Sequence, residues 1–226
     1  MGFYRGPNIV TDGLVFAVDP GSTRSYPGSG TTTTNIINGA SGTLTNGVAY
    51  VTNNGGAFDF DGTDDYIAFP DDTNLNNQTL TMESWVKLDS TLYQDAFIFE
   101  KGQVNTQYSN FVATNGYLYF RTIGLSTNDK ALNLTSYTSA GLWTHITCTY
   151  GAGIKYIYIN GVLRATQTGL TGTISTNTTG LFLGAYGPGS SYFMDGKIAV
   201  SRVYNKALTQ AEVTQNFNAQ KSRFGL

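Results

Sequence analysis

The chain has 226 residues, of which 40% are hydrophobic and 12% are charged. This length fits one large all-β domain, and the apolar content is enough for a packed core, which argues against a disordered chain. Thirteen Lys and Arg residues against fifteen Asp and Glu residues give a formal charge of -2, and the basic residues form no run. The sequence therefore predicts no nucleic-acid partner, because such a partner requires clustered basic side chains.

The N-terminal segment lacks the features of a targeting sequence. Arg5, Pro7 and Asp12 precede any apolar run, so the apolar core of a signal peptide is missing. No later stretch approaches the roughly 18 apolar residues that span a bilayer. We therefore expect a soluble chain that is not conventionally secreted and does not insert into a membrane. Residues 1–12 are predicted to form an N-terminal arm.

Short strands separated by tight turns dominate the predicted structure. Asn-Gly and Asp-Gly pairs recur along the chain, and both tolerate the positive φ that type I′ hairpin turns require. The runs between them are rich in β-branched and aromatic residues, which favours strands. In chain order these runs are Leu14–Val18, Tyr66–Phe69, Leu80–Leu88, Ala96–Phe99, Tyr117–Thr122, Trp143–Tyr150, Ile154–Asn160, Val162–Thr166 and Leu181–Ala185.

Four of these runs carry more detailed predictions. Strict alternation across Leu80–Leu88 predicts one face in the core, with Trp85 on the opposite face. The Tyr117–Phe120 and Tyr156–Ile159 runs are apolar on both faces, which predicts central strands. Cys148 lies in an apolar stretch and is predicted to be a buried, unreactive thiol.

The predicted helix is short and lies near the C-terminus, over Ala207–Gln220. Thr209 followed by Glu212 has the spacing of a capping box, and Ala211, Val213 and Phe217 form its predicted apolar side. Many short strands with one helix predict an all-β fold, a two-sheet antiparallel jelly-roll sandwich over residues 13–217. Residues 218–226 are predicted to be a C-terminal tail.

Several motifs point to a known family. The segment Phe58-Asp59-Phe60-Asp61-Gly62-Thr63-Asp64-Asp65-Tyr66-Ile67 resembles a signature of laminin-G-like domains, which belong to the concanavalin A-like jelly-roll superfamily. The Met82–Val86 strand, the meander from Trp143 to Gly161 and the closing segment from Gly196 to Leu208 are similar to further family motifs in the same order. The resemblance covers roughly residues 14–217 and implies the same sandwich fold.

A narrower resemblance lies at the two ends of the chain. Tyr4-Arg5-Gly6-Pro7 and Ser25-Tyr26-Pro27-Gly28 resemble the opening of laminin-G-like structural proteins of tailed bacteriophages, and Asn216-Phe217-Asn218-Ala219 resembles their ending. This resemblance implies a virion protein, which leaves the host by lysis and needs no signal peptide. Phe3, Tyr4 and Phe224 are then predicted to be assembly residues on the terminal arms.

Few residues suit catalysis. Glu83, Glu100 and Glu212 are the glutamates of the chain, and Glu212 is accounted for by the predicted helix cap. A glycoside hydrolase needs two carboxyl groups, which here could come from Glu83 and Glu100 on neighbouring predicted strands. His145, the sole histidine, has no accompanying nucleophile motif and is predicted to be structural.

Two sets of residues are candidates for ligand binding. Asp61, Asp64 and Asp65 form the densest acidic group and are candidate Ca²⁺ ligands, with a tight turn bearing solvated carboxylates as the alternative. Aromatic rings on the surface could stack on sugars. The rings considered are Trp85, Tyr108, Tyr117, Tyr119, Tyr137, Tyr156, Tyr158, Tyr186 and Tyr192, of which Trp85, Tyr117, Tyr119, Tyr156 and Tyr158 are the predicted glycan-binding residues.

The resemblance to phage proteins implies a non-enzymatic structural protein that is made in the host cytoplasm and carried on the virion surface, as capsid decoration or as part of the tail. Its predicted partners are other virion proteins, further copies of itself and a cell-surface glycan, with Ca²⁺ as a candidate cofactor. Adhesion would be weak per copy and would gain through multivalency. Two alternatives stay open, a dedicated lectin or receptor-binding module and a glycoside hydrolase.

Overall fold

Strands and tight turns make up most of the described chain. The structure is a computed structural model that describes residues 7–89, 95–103, 106–187 and 192–226. The described strands are β1 (Leu14–Val18), β2 (Thr32–Thr34), β3 (Ser41–Thr45), β4 (Ala49–Val51), β5 (Ala57–Asp61), β6 (Tyr66–Phe69), β7 (Leu80–Leu88), β8 (Ala96–Lys101), β9 (Tyr108–Val112), β10 (Tyr117–Thr122), β11 (Asp129–Asn133), β12 (Thr144–Gly151), β13 (Ile154–Ile159), β14 (Val162–Gln167), β15 (Leu181–Leu183) and β16 (Asp195–Tyr204). One α-helix follows, α1 (Gln210–Gln220).

The strands form two antiparallel sheets. The back sheet has the order β14-β13-β12-β7-β16-β5-β4, with β1 also paired to β16. The front sheet has the order β11-β10-β9-β8-β15-β6-β3-β2. This arrangement confirms the predicted two-sheet antiparallel sandwich with a short C-terminal helix. The Tyr117 and Tyr156 runs are interior strands as predicted, because β10 and β13 each pair with a strand on both sides, although each lies second from an edge of its sheet.

The core lies between the two sheets and follows the alternation of the strands. On β7, Leu80, Met82 and Val86 face the opposing sheet and are almost completely buried. Large rings from both sheets fill the centre, such as the edge-to-face pair of Phe16 and Phe69 with ring centroids 4.9 Å apart. Cys148 is buried among them, and burial raises the pKa of its thiol to about 12, which confirms the prediction of a buried thiol.

The predicted meander and its hairpin turn are present. Strands β12, β13 and β14 pair in sequence, and Asn160 and Gly161 join β13 to β14 with φ values of 52° and 76°. Both residues therefore have the left-handed backbone of a type I′ turn, which Asn and Gly tolerate best. A Cβ at Gly161 would also lie 3.0 Å from the Phe217 ring, so this turn contacts α1 closely.

Helix α1 begins with the predicted capping box. The Glu212 amide donates to the Thr209 hydroxyl at 3.3 Å, and the Thr209 amide donates to the Glu212 carboxylate at 2.8 Å. The predicted apolar side is correct for Val213, which is buried, but wrong for Ala211, which is exposed. The buried polar residue of the helix is Asn216, which contacts the back sheet through hydrogen bonds.

The two ends of the described chain pack on the outer side of the back sheet. The Val10 amide donates to the Asn216 side-chain oxygen at 2.7 Å, and the Tyr204 hydroxyl donates to the Val10 carbonyl at 3.1 Å. Val10 is buried, although the prediction assigned it to the arm. Beyond α1, Lys221–Phe224 forms a 3₁₀ turn, so the predicted tail continues the helical segment.

Candidate functional site

An aromatic row crosses the outer side of the front sheet. Phe97 on β8, Phe111 on β9 and Tyr119 on β10 are cross-strand neighbours. The Phe97 and Phe111 rings stack with centroids 4.4 Å apart, and Phe111 and Tyr119 stack at 5.1 Å with an interplanar angle of 8°. These three residues, called the aromatic row below, point away from the core because their strand neighbours Leu118 and Val112 point into it.

A polar row runs beside the aromatic row on the same face. Glu100 on β8 lies opposite Ser109 on β9, Ser109 lies opposite Arg121 on β10, and Arg121 lies opposite Asp129 on β11. Arg121 and Asp129 form a two-point ion pair with N–O distances of 2.8 and 2.9 Å. The Arg121 guanidinium also lies 4.9 Å from the Phe111 ring centroid, which links this polar row to the aromatic row.

Glu100 is the most unusual member of the polar row. The side chain is 1% exposed, and its Oε2 has no hydrogen-bond partner. Burial raises the pKa of this carboxyl to about 8, although the nearby Ser109 hydroxyl and Arg121 guanidinium lower it. At neutral pH Glu100 is therefore mostly protonated, and its carboxylic acid carries one O–H donor in addition to acceptor oxygens.

Two tyrosines from the segment between β15 and β16 border the rows. Tyr186 lies with its ring centroid 4.5 Å from that of Phe97, and Tyr192 lies 6.3 Å from Phe97 on the same side. An isolated antiparallel bridge joins Ala185 to Phe193. Tyr192 is 42% exposed, so the aromatic surface continues from the sheet to solvent.

The two rows together have the chemistry of a saccharide-binding surface. The apolar C–H face of a sugar ring packs against an aromatic ring, and its hydroxyl groups need donors and acceptors alongside. Phe97 and Phe111 are 3% and 4% exposed, and Glu100 and Ser109 are buried beside them, so these four residues support the surface from beneath. The accessible members are Tyr119, Arg121 and Asp129, and Tyr117 extends the aromatic surface at the end of β10 with 38% of its surface exposed. We refer to the aromatic row, the polar row, Tyr117, Tyr186 and Tyr192 as the front face.

The predicted glycan-binding residues divide between the two sides of the sandwich. Tyr117 and Tyr119 lie on the front face, as an exposed ring and a partly buried ring. Tyr156 and Tyr158 lie on the outer side of the back sheet, where Val10 and Val213 pack with them. Tyr158 is 3% exposed, so the prediction of an exposed, sugar-binding ring is wrong for this residue.

Two further predictions are wrong, that of Trp85 as a glycan-binding ring and that of Phe224 as an assembly residue on a terminal arm. Trp85 is completely buried on the outer side of β7, where it stacks on Phe217 and Phe224 at centroid distances of 5.7 and 4.1 Å. Trp85 cannot contact a sugar because the C-terminal segment covers its ring. Phe224 is 6% exposed and packs against the back sheet rather than extending as an arm. Phe3 and Tyr4, the other predicted arm residues, lie outside the described residues.

Glu83 belongs to a buried network under α1. Its carboxylate accepts from Arg202 at 2.7 Å and from the Asn216 amide at 2.6 Å, and His145 Nε2 lies 3.1 Å from Oε1. Burial raises the pKa of Glu83, but Arg202, His145 and Asn216 outweigh it and bring the pKa down to about 2. His145 therefore lies in a structural position between the sheet and the helix, where it contacts Glu83 on β7 and Phe217 on α1.

The proposed pairing of Glu83 with Glu100 as two catalytic carboxyl groups is wrong. Glu83 lies under α1 on the outer side of the back sheet, whereas Glu100 lies on the outer side of the front sheet. Two packed sheets with a separation of about 10 Å lie between them, and a glycosidase pair flanks one bond at about 5–9.5 Å. Glu100 and Asp129 share the front face but are three strand spacings apart, or about 14 Å.

The three predicted calcium ligands do come together. Asp61, Asp64 and Asp65 lie at the turn from β5 to β6, and one carboxylate oxygen of each lies within 4.8 Å of the others. This turn connects the back sheet to the front sheet and is therefore on the rim of the sandwich, outside the front face.

Sequence reasoning missed Phe97, Phe111, Glu100, Arg121 and Asp129 as members of one surface. These residues lie on four different strands. Only the pairing register of β8 to β11 shows that they share one side of the sheet. A register shift between Phe97 and Phe99 changes which residues of β8 point outward. The available signal was the matching alternation of Ser109/Phe111 and Tyr119/Arg121 with the apolar core residues Tyr108, Val112, Leu118 and Phe120.

Comparison with known proteins agrees with this architecture. Residues 61–214 match the family model of the concanavalin A-like lectin/glucanases superfamily. The chain belongs to this superfamily. The matched residues of this chain run from the acidic turn at the end of β5 into α1 and include the whole front face. No curated protein matches the chain in sequence.

Solved structures with this fold include two groups of larger proteins. A Trypanosoma rangeli sialidase superposes with a TM-score of 0.69 at 15% sequence identity, covering 95% of this chain and 34% of the sialidase chain. The receptor binding domain of botulinum neurotoxin C/D mosaic serotype superposes with a TM-score of 0.69 at 15% identity, covering 93% of this chain and 52% of that chain. At this identity the likeness concerns the fold, and the chain spans a third to a half of these proteins. No helix in the described ranges has the length and apolarity needed to traverse a bilayer.

Proposed function

We propose that this superfamily member is a non-enzymatic carbohydrate-binding protein whose ligand lies on the front face. The observation that carries the proposal is the accessible part of the two rows, in which Tyr119 lies on the same face of β10 as Arg121, and Arg121 is paired with Asp129. The exposed rings of Tyr117 and Tyr192 extend this surface. A sugar ring placed on Tyr119 or Tyr192 has hydrogen-bonding groups beside it and an apolar surface beneath it.

The solved relatives support the same class of ligand. One is a sialidase whose structure was determined in complex with sialic acid, and another is the receptor binding domain of a neurotoxin. These properties belong to those proteins, and they favour a saccharide or a glycosylated receptor as the ligand class of the front face. The proposal itself depends on the chemistry of the two rows rather than on the relatives.

The proposal assigns no catalytic step to the chain. Of the described carboxyl groups of the front face, Glu100 is buried on β8, and Asp129 is on β11, three strands away in the sheet order. Asp129 is also held in a two-point ion pair with Arg121. A glycoside hydrolase remains the alternative, and product release from a bound oligosaccharide by the purified chain would favour it over a binding protein.

A glycan array probed with the full chain tests the proposal. Tyr117→Ala and Tyr192→Ala each remove an exposed ring of the front face and are expected to weaken binding about tenfold, because one stacking ring contributes about 1–1.5 kcal/mol. Tyr137→Ala is the matched control, since Tyr137 is 37% exposed but packs with Arg164 of the back sheet. Equal binding by all three variants would place the ligand elsewhere.

We further propose that the protein is carried on the surface of a bacteriophage particle, as capsid decoration or in the tail. The support is the resemblance of both chain ends to phage structural proteins, together with the packing of Val10 and Phe224 on the back sheet, opposite the front face. Attachment to other virion proteins or to further copies through the back side would leave the front face directed outward. Many copies with weak individual affinity would then bind a glycosylated cell surface tightly.

Imaging of purified particles with an antibody against this chain tests the virion proposal. Labelling at regular capsid or tail positions would support it. Particles that assemble and remain unlabelled, while the chain accumulates in the soluble fraction of the lysate, would contradict it without affecting the glycan-binding proposal.

A further inference from the structure

We propose that Lys101 and Asn177 form an intramolecular isopeptide bond, with Asp71 as the general base and acid of the reaction. The bond joins the end of β8 to the segment that leads into β15, the strand that pairs with β8 in the front sheet. Lys101 follows Glu100 along β8, so its side chain points to the opposite side of the sheet from the front face. The proposal is therefore independent of glycan binding.

The Lys101 amine lies next to both of its reaction partners. The side chain is completely buried, and its Nζ lies 2.9 Å from Asp71 Oδ1 and 3.2 Å from Asn177 Oδ1. Nζ also donates to the Thr179 carbonyl. Because Asn177 Cγ is bonded to Oδ1, a small movement of Nζ brings the amine onto this carbon. A nucleophile fixed this close to its target reacts far faster than a free one.

Asp71 is positioned to take the proton that the Lys101 ammonium must lose. An ammonium has no lone pair, so only the neutral amine can attack a carbonyl carbon. The Asp71 carboxylate, at 2.9 Å from Nζ, accepts this proton directly. The Asp71 side chain is 25% exposed, so the reacting atoms lie at the edge of the buried region and the released ammonia can leave.

The Asn177 side-chain amide is fixed at both of its ends. Oδ1 accepts from the Thr179 backbone amide at 2.8 Å, and Nδ2 donates to Gln107 Oε1 at 3.0 Å. The Thr179 N–H therefore stabilises the negative charge that develops on Oδ1 when the amine attacks. A Cβ at Gly102, which has a φ of +109°, would lie 2.6 Å from Asn177 Nδ2. The glycine thus lets the amide lie directly against the backbone beside Lys101.

The reaction conserves atoms and charge. Asp71 takes a proton from the Lys101 ammonium, and the Nζ lone pair forms a bond to Asn177 Cγ while the π electrons of the carbonyl move to Oδ1. A proton of Nζ then passes through Asp71 to Nδ2, and the Cγ–Nδ2 bond breaks as the carbonyl re-forms. The ammonia that leaves takes the remaining proton from Asp71. The products are the amide, an ionised Asp71 and one ammonium ion, so no oxidant, reductant or co-reactant is required.

Mass spectrometry of the intact full chain tests the proposal. We expect the purified chain to be lighter than its sequence by one ammonia, whereas Lys101→Arg and Asp71→Ala should have the full masses of their sequences. Lys197→Arg is the matched control and should still lose ammonia, because Lys197 is also paired with a carboxylate, that of Asp59 at 2.8 Å. A urea unfolding transition shows whether each variant is folded.

Tryptic peptide mapping locates the bond in the wild type. Trypsin cleaves after Lys and Arg, so we expect one branched peptide that joins residues 88–121 to residues 165–197, without cleavage after Lys101. An intact mass equal to that of the sequence would overturn the proposal. Loss of one water would overturn it as well, because the bond would then be to the Asp71 carboxyl group. Loss of ammonia without the branched peptide would also contradict it, since cyclisation at an Asn-Gly pair releases the same molecule.

Discussion

Trp85 and Phe224 stack face to face, with ring centroids 4.1 Å apart and an interplanar angle of 18°. Trp85 is on β7 in the middle of the back sheet, and Phe224 is two residues from the end of the chain. The C-terminal segment is therefore an integral part of the fold, because it covers a large ring that the sheet would otherwise expose to water.

Phe224→Ala is expected to lower the free energy of unfolding by about 3 kcal/mol, since it removes a buried ring and uncovers Trp85. Chemical denaturation followed by tryptophan fluorescence measures this change directly. Leu226→Ala is the matched control, because Leu226 is 51% exposed and its truncation should have little effect. Equal stability of the two variants would mean that the end of the chain is not packed as described.

The strands and turns were predictable because their signals are local. Alternation in β7 and the Asn160-Gly161 turn depend on a few adjacent residues, and both are present where the sequence indicated. Which segment covers the outer side of each sheet was not predictable, because this depends on contacts between segments that are distant in sequence. Trp85 and Tyr119 both alternate with core residues, yet the C-terminal segment covers Trp85 and leaves Tyr119 on the front face.

The front face was partly predictable for a related reason. Tyr117 and Tyr119 were identified as rings on a strand, but the polar row requires the register of four strands, including the shift in β8. The acidic turn was found from the sequence because its three carboxylates are within five consecutive positions.

Glu83→Gln is expected to destabilise the protein by about 3–5 kcal/mol at neutral pH, because Arg202 then lies buried beside a neutral amide. The pKa of Glu83 is lowered to about 2 in the folded state, so its contribution is complete above the ordinary glutamate value of 4.5. That contribution is lost as the pH falls from 4.5 towards 2. Urea midpoints at pH 7 and pH 3 should therefore differ more in the wild type than in the variant, and an equal difference would contradict the role of this network.

Glu100→Gln is expected to have the opposite dependence on pH. Because the pKa of Glu100 is raised from 4.5 to about 8 in the folded state, its ionisation costs stability as the pH rises through this window. The variant imitates the protonated acid, so its urea midpoint should approach that of the wild type near pH 4.5 and exceed it at pH 8. The free energy of unfolding of the variant, relative to the wild type, should increase by about 1.4 kcal/mol for each pH unit in this window. A constant difference between pH 5 and pH 8 would show that Glu100 is not buried as described.

The front face is the central claim, and backbone amide chemical shifts measured during titration with a glycan selected on the array test it most directly. We predict that the largest shift changes cluster on β8 to β10, at Phe97, Glu100, Ser109, Phe111 and Tyr119, with little change at Tyr156 and Val213 on the back side. Shift changes concentrated at the back side would contradict the assignment of the front face as the binding surface. The absence of shift changes at glycan concentrations that another method shows to be saturating would contradict it as well.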